Sequence, residues 1–172
     1  MAAYSQKDID DLIACPKSVS DPPKKDMRLV DADWRNDAKL VATNNTVGEF
    51  HVFMRKNADF PENFSIGLIY QPNDGSGEVV LLRCNGPHGI YNGWSGGAIH
   101  PHWEYHVHTA SEKALEAGER AEKYAEKTTA YASFEEALPY FAKTVNLSEK
   151  DAHKYFGTQA VLPSELGSLW NC

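Results

Sequence analysis

F-S-I-G-L-I-Y-Q, residues 64–71, decides how the chain folds. Phe64, Ile66, Leu68 and Tyr70 take every second position, with Ser65 and Gly67 between them. Extended backbone turns successive side chains to opposite faces, so this period of two marks a half-buried strand of an antiparallel sheet. E-F-H-V-F-M-R-K, residues 49–56, repeats the pattern with Phe50, Val52 and Met54 against His51 and Arg55. Val79–Leu82 is apolar on both faces, as a central strand requires. Turn residues punctuate these runs: Thr43-Asn44-Asn45-Thr46 with Gly48, and Pro72-Asn73-Asp74-Gly75-Ser76-Gly77, whose Asp-Gly step favours a hairpin. The expected strands are 27–33, 38–43, 49–56, 64–71, 78–84 and 102–109, with a short edge strand within 127–131.

Helices flank this β-rich middle. Ser5 caps an N-terminal helix whose Ile9, Leu12 and Ile13 form an apolar stripe, and Pro16 limits it. Residues 16–26 then read as a loop. Towards the C-terminus, Ser111 caps a helix over 112–121. Ser133 caps one over 134–145, with Glu136 in capping-box spacing, an apolar stripe of Phe134, Leu138 and Phe141, and Pro139 expected to kink or shorten it. Ser148 and Asp151 start a last short helix ending near Gly157. The expected fold class is α+β: an antiparallel sheet of five to six strands, an N-terminal helix, and C-terminal helices packed on one face or edge. One domain of 1–172 is expected, with helix and loop over 1–26, the sheet over 27–109, helices over 110–157 and an unassigned tail at 158–172.

The chain has 172 residues, a formal net charge of −7, and 42% hydrophobic residues. A protein this acidic is not a general nucleic-acid coat or a ligand for anionic membranes. The charge leaves room for RNA or a phosphorylated small molecule in a local cleft, or for a basic protein partner. Cys15, Cys84 and Cys172 form no C-x-x-C pair, and an odd count suggests reduced thiols rather than a disulfide framework. The polar opening M-A-A-Y-S-Q-K-D lacks a signal peptide's apolar core, and the apolar runs fall far short of a membrane span. The expected location is the cytoplasm.

Chemistry concentrates in H-P-H-W-E-Y-H-V-H, residues 100–108. If extended, it places His100, His102, Glu104, His106 and His108 on one face, and Trp103, Tyr105 and Val107 on the other. His100 and His108 would then lie roughly 26 Å apart, too far to share one ion. His106 and His108 are the central pair, either as proton donor and acceptor or as metal ligands, with His88, Glu104 or His102 as a third ligand. Histidines on an ordinary solvent-facing strand would leave the same pattern. R-C-N-G-P-H-G, residues 83–89, supplies Arg83, a planar cation suited to phosphate or carboxylate, with Asn85 and His88 in a glycine-shaped turn. The loop 85–101 joins this turn to the histidine stretch, so the two strands are expected to be neighbours. Tyr124 and Tyr131 offer hydroxyls to a site, although core packing is the commoner role for such aromatics. His51 and His153 read as structural and surface residues, and the charged run from Glu112 to Lys127 as a solvated helix face. No P-loop, dinucleotide fingerprint, nucleophile elbow or HExxH motif is present.

Taken together, S-Q-K-D-I-D-D-L-I-A-C-P-K, L-L-R-C-N-G-P-H-G, Y-H-V-H-T-A-S-E-K-A and Y-A-E-K-T-T-A-Y resemble an uncharacterised family of small bacterial and phage proteins. The resemblance implies a cytosolic protein and carries no activity with it. A looser likeness, in an Asn-containing turn before a histidine strand and an aromatic-rich helix, is to toxin–antitoxin ribonuclease domains of the TumE type. This chain differs from them in length, acidity and its extra N-terminal strands.

The expectation that follows is a phosphodiester-cleaving site. His106 and His108 share proton transfer, Arg83 holds phosphate, Asn85 and His88 orient the ligand, and His102, Glu104 and Tyr131 line the site. Its metal-assisted variant uses His106, His108 and His88 as ligands to zinc or another divalent ion. A non-catalytic antitoxin, anti-defence or regulatory module is the alternative.

Overall fold

The structure, a computed structural model, describes residues 4–89 and 101–157. It is α+β, with an antiparallel sheet of seven to eight strands rather than five to six. In chain order the elements are α1 (Gln6–Ala14), β1 (Lys17–Asp21), β2 (Arg28–Val30), β3 (Asp33–Ala42), β4 (Glu49–Asn57), β5 (Phe64–Gln71) and β6 (Val79–Asn85). After them come a 3-10 turn (Pro101–Trp103), β7 (His106–Thr109), α2 (Glu112–Glu116), β8 (Ala125–Lys127), α3 (Phe134–Thr144) and α4 (Glu149–Tyr155). The sheet runs β1-β3-β4-β5-β6-β7-β8, and β2 hairpins onto β3.

The N-terminal expectations need revision. Residues 17–21, read as loop, form edge strand β1 against the far end of β3, with Lys17 opposite Ala42 and Val19 opposite Leu40. Residues 27–33 are not one strand. The chain reverses at Asp31, whose φ is +55°, and Val30 then faces Asp33. Lys17–Asp21 carries a single apolar residue, Val19, too little alternation to be read as a strand, and only pairing with β3 makes it one. In the C-terminal part, α2 stops at Glu116 instead of 121, because Gly118 takes a left-handed φ of +69° and turns the chain. α3 continues past Pro139 to Thr144. The edge strand falls at 125–127 rather than beyond.

The caps behave as their spacing implies. Ser5 accepts from the Asp8 amide while the Asp8 carboxylate accepts from the Ser5 amide, a reciprocal capping box. Ser111, Ser133 and Ser148 accept from the amides of Ala114, Glu136 and Asp151.

Cross-strand register separates the two faces. Ala38, Val52, Leu68 and Leu82 lie in one rank, and Asn36, Met54, Ile66, Cys84 and Val107 in the next. The apolar members of these ranks share one core with Ile9, Leu12 and Ile13 of α1 and with Phe134, Ala137 and Phe141 of α3, and Asn36 is a buried polar residue among them. The alternate positions form two ranks on the opposite face. One runs Phe53, Gly67, Arg83, His108; the other runs Arg55, Ser65, Asn85, His106, Lys127. The helices and apolar core therefore hold the sheet from one side and leave the other for polar chemistry.

Lys17 is a buried cation that the sequence pattern does not reveal. It is 1% exposed, and its ammonium donates to the carbonyls of Ile13 and Cys15 at 2.8 Å and of Val145 at 3.1 Å. It thereby closes the C-terminal ends of α1 and α3 together and lies 4.7 Å from the Phe50 ring centre. Burial pulls its pKa down.

Candidate metal and anion site

The histidine stretch is not one long strand. Residues 101–103 form a 3-10 turn and only His106–Thr109 is extended, so simple alternation does not account for His102. Pro101 lacks the amide a ladder needs. His100 lies outside the described residues, as do the glycine-rich loop positions from 90 to 100. His102 nevertheless reaches the same place as the strand histidines by a different route.

β6 and β7 place Arg83 opposite His108 and Asn85 opposite His106. The chain then leaves β6 through Gly86, whose amide donates to the Phe64 carbonyl at 3.1 Å. A side chain here is impossible without movement, since a Cβ on Gly86 would lie 1.7 Å from the Glu62 carbonyl oxygen. This close passage delivers His88, whose amide donates to the His102 carbonyl at 2.9 Å and ties the two loops together.

Four imidazoles converge as a result. Ring centres lie 4.6 Å apart for His88–His102, 4.7 Å for the stacked pair His102–His106, and 5.1 Å for His88–His106. His108 adjoins them, 5.0 Å from His106 and 5.2 Å from His102. One nitrogen from each of His88, His102 and His106 lies within 4.8 Å of the other two. Tetrahedral ligands about 2.0–2.1 Å from a zinc ion sit roughly 3.4 Å apart, so the three rings would have to turn and draw together to bind one. The close trio thus includes His102, which the sequence placed among ligand-binding residues, while His108 lies beside it.

Backbone carbonyls fix the ring orientations. His106 Nδ1 lies 2.7 Å from the Glu104 carbonyl and His108 Nδ1 2.9 Å from the Glu122 carbonyl. A carbonyl only accepts, so each Nδ1 carries the proton and each Nε2 keeps a lone pair. His106 Nε2 is buried and has no hydrogen-bond partner among the described residues. His106 and His108 are 0% and 2% exposed. Burial pushes both pKa values down to about 4. Among the charges, His108 is the main one adding to the effect at His106, and Arg83 at His108. At neutral pH both rings are uncharged bases, and an orphaned buried lone pair of this kind suits a metal ligand.

Arg83 stands at the edge of the cluster. Its Nη1 is 3.6 Å from the buried carboxylate of Glu122. The Asn85 amide is satisfied when its nitrogen donates to Ser65 Oγ at 2.8 Å and its oxygen accepts from Arg83 Nη2 at 3.3 Å. Burial lowers the guanidinium pKa and Glu122 opposes that effect. Tyr131 is buried with its hydroxyl donating to the His106 carbonyl at 2.7 Å, so it braces β7 and presents no free hydroxyl to the cluster. Burial also raises its pKa. The Glu104 carboxylate turns to Lys127 on β8. His51 pairs loosely with Glu49 at 3.7 Å, and His153 is an exposed residue of α4.

Two members were not legible as site residues. Glu122 falls in the charged run read as a solvated helix, yet it is 5% exposed. Ser65 is one of the polar alternates on β5, and its role follows only from pairing with Asn85.

Compared with protein-family models, curated proteins and solved structures, the chain matches none. No described helix is long and apolar enough to cross a membrane.

Proposed function

We propose that this protein is a metal-assisted hydrolase of phosphate esters, with His88, His102 and His106 holding a divalent ion of the zinc type. The convergence of three imidazole nitrogens within 4.8 Å carries this reading. An all-nitrogen donor set favours zinc, copper or nickel over magnesium or calcium, which prefer oxygen. Carbonyls that hold the Nδ1 protons of His106 and His108 supply the outer-shell support such sites use. When bound, the ion supplies Lewis acidity and a nucleophile at neutral pH. Arg83 binds the substrate's anionic oxygens, and Asn85 and Ser65 fix the angle of its guanidinium. His108, neutral and with Nε2 unprotonated, accepts a proton at the site's edge. An RNA phosphodiester or a phosphorylated small molecule fits these groups.

Burial favours this version over a metal-free one. His106 Nε2 is buried with no hydrogen-bond partner among the described residues, and it lies within 4.8 Å of a nitrogen of His88 and of His102, an arrangement that serves a shared ion better than a proton relay. Elemental analysis of tag-free protein after exposure to zinc and desalting tests the reading. The expected result is about one ion per chain, lost in His106→Ala and retained in Glu104→Gln. Hydrolysis of bis(p-nitrophenyl) phosphate or a short RNA should follow metal content. Wild-type protein with no bound ion, or turnover indifferent to chelator, would refute it.

A further inference from the structure

We infer that Glu122 is the positioning residue of this site, its carboxylate holding Arg83 as the anion-binding arm while its carbonyl orients His108. The inference rests on the reading of Arg83 just given. Glu122 lies in the segment between Gly118 and β8, which folds back so that the Ser111 amide donates to the Ala121 carbonyl at 3.0 Å. That fold buries a carboxylate which the local sequence would leave in solvent. It stands between two guanidiniums, 3.6 Å from Arg83 and 4.0 Å from Arg120.

Stability alone does not explain this carboxylate. Desolvating a buried ion pair cancels most of its attraction, and apolar replacements are often as stable. The arrangement does fix a direction. Glu122 sits at ion-pair distance from Nη1 of Arg83, and Asn85, in the orientation that satisfies its amide, accepts from Nη2, so two groups constrain different nitrogens of the guanidinium. Arg83 Nε is buried and has no hydrogen-bond partner among the described residues. With Arg120 at the same carboxylate, two cations face one anion there, and a positive charge remains for a ligand. The Glu122 carbonyl meanwhile accepts from His108 Nδ1 at 2.9 Å. One residue thus sets both the cation and the adjacent base.

Calorimetric titration of the zinc-loaded full chain with inorganic phosphate tests this. Electrostatics alone predicts that Glu122→Gln, which removes a negative charge beside Arg83, tightens phosphate binding. Positioning predicts the opposite: Glu122→Gln weakens phosphate by about tenfold or more, with zinc affinity changed less than about threefold. Glu122→Asp keeps the charge but withdraws the carboxylate, so it also weakens phosphate and decides the matter if the glutamine variant does not fold. Arg83→Ala combined with Glu122→Gln should bind phosphate no worse than Arg83→Ala alone. Unchanged or tighter binding in both Glu122 variants, additive losses in the double variant, or no phosphate binding by the wild type would overturn the inference. Absence of zinc would instead count against the metal reading, and the same titration on the metal-free chain would still decide the role of Glu122.

Discussion

Acid should destabilise the metal-free protein, and the two strand histidines set how steeply. His106 and His108 are buried as neutral rings, with pKa values of about 4 against 6.5 in the unfolded chain. Well above pH 6.5 neither state takes up a proton at these sites, so stability there does not depend on them. Between pH 6.5 and 4 the unfolded chain gains protons that the folded chain refuses, and stability falls with pH. The linkage relation gives a loss of about 2 kcal/mol per histidine at pH 5, or about 4 kcal/mol for the pair. That is a large fraction of the ~5–15 kcal/mol typical of a folded domain. Urea melts of chelator-treated protein at pH 7.5, 6, 5.5 and 5 would measure the slope. His106→Gln and His108→Gln, which cannot take up the proton, should each remove about half of it. A free energy of unfolding that is flat from pH 7.5 to 5, or a slope unaffected by both substitutions, would refute the claim that these rings are buried and neutral.

Three further outcomes follow from the packing. Lys17→Met should destabilise the protein by about 2–3 kcal/mol, since it leaves three buried carbonyls at two helix ends without their donor; an unchanged denaturation midpoint would contradict the capping role. Gly86→Ala should cost about 1–3 kcal/mol and weaken zinc binding by displacing His88, whereas Gly89→Ala, where a Cβ meets nothing within 4 Å, should leave both unchanged. Cys84, fully buried with burial raising its thiol pKa to about 12, should resist alkylation in native protein and react only on unfolding, as peptide mass mapping would show.

Strand identity was readable wherever one face is buried. The alternation in 49–56 and 64–71 appears as β4 and β5, and the apolar run near 79 as interior strand β6 beside β7. Helix starts were equally readable, because a capping serine and the acceptor pattern after it are local. β1 was not readable, because its few apolar positions pair with a strand about twenty residues away. The extent of the histidine strand was over-read: alternation in a sequence does not distinguish extended backbone from a 3-10 turn that happens to carry histidines.

The sequence by itself determined the class of the fold, the neighbours β6 and β7, and the residue types available for chemistry: Arg83, Asn85, His88, His102, His106 and His108. Periodicity and capping suffice for that, because they depend on residues within one or two turns of each other. Only the tertiary structure decided which imidazoles share a point in space, which nitrogens carry the protons, and that Glu122 is buried behind Arg83. Those facts depend on two loops crossing at the His88–His102 backbone bond and on the segment after Gly118 returning to pair Ala121 with Ser111 and Glu122 with Arg83 and His108, contacts between separate stretches of chain that no local pattern specifies.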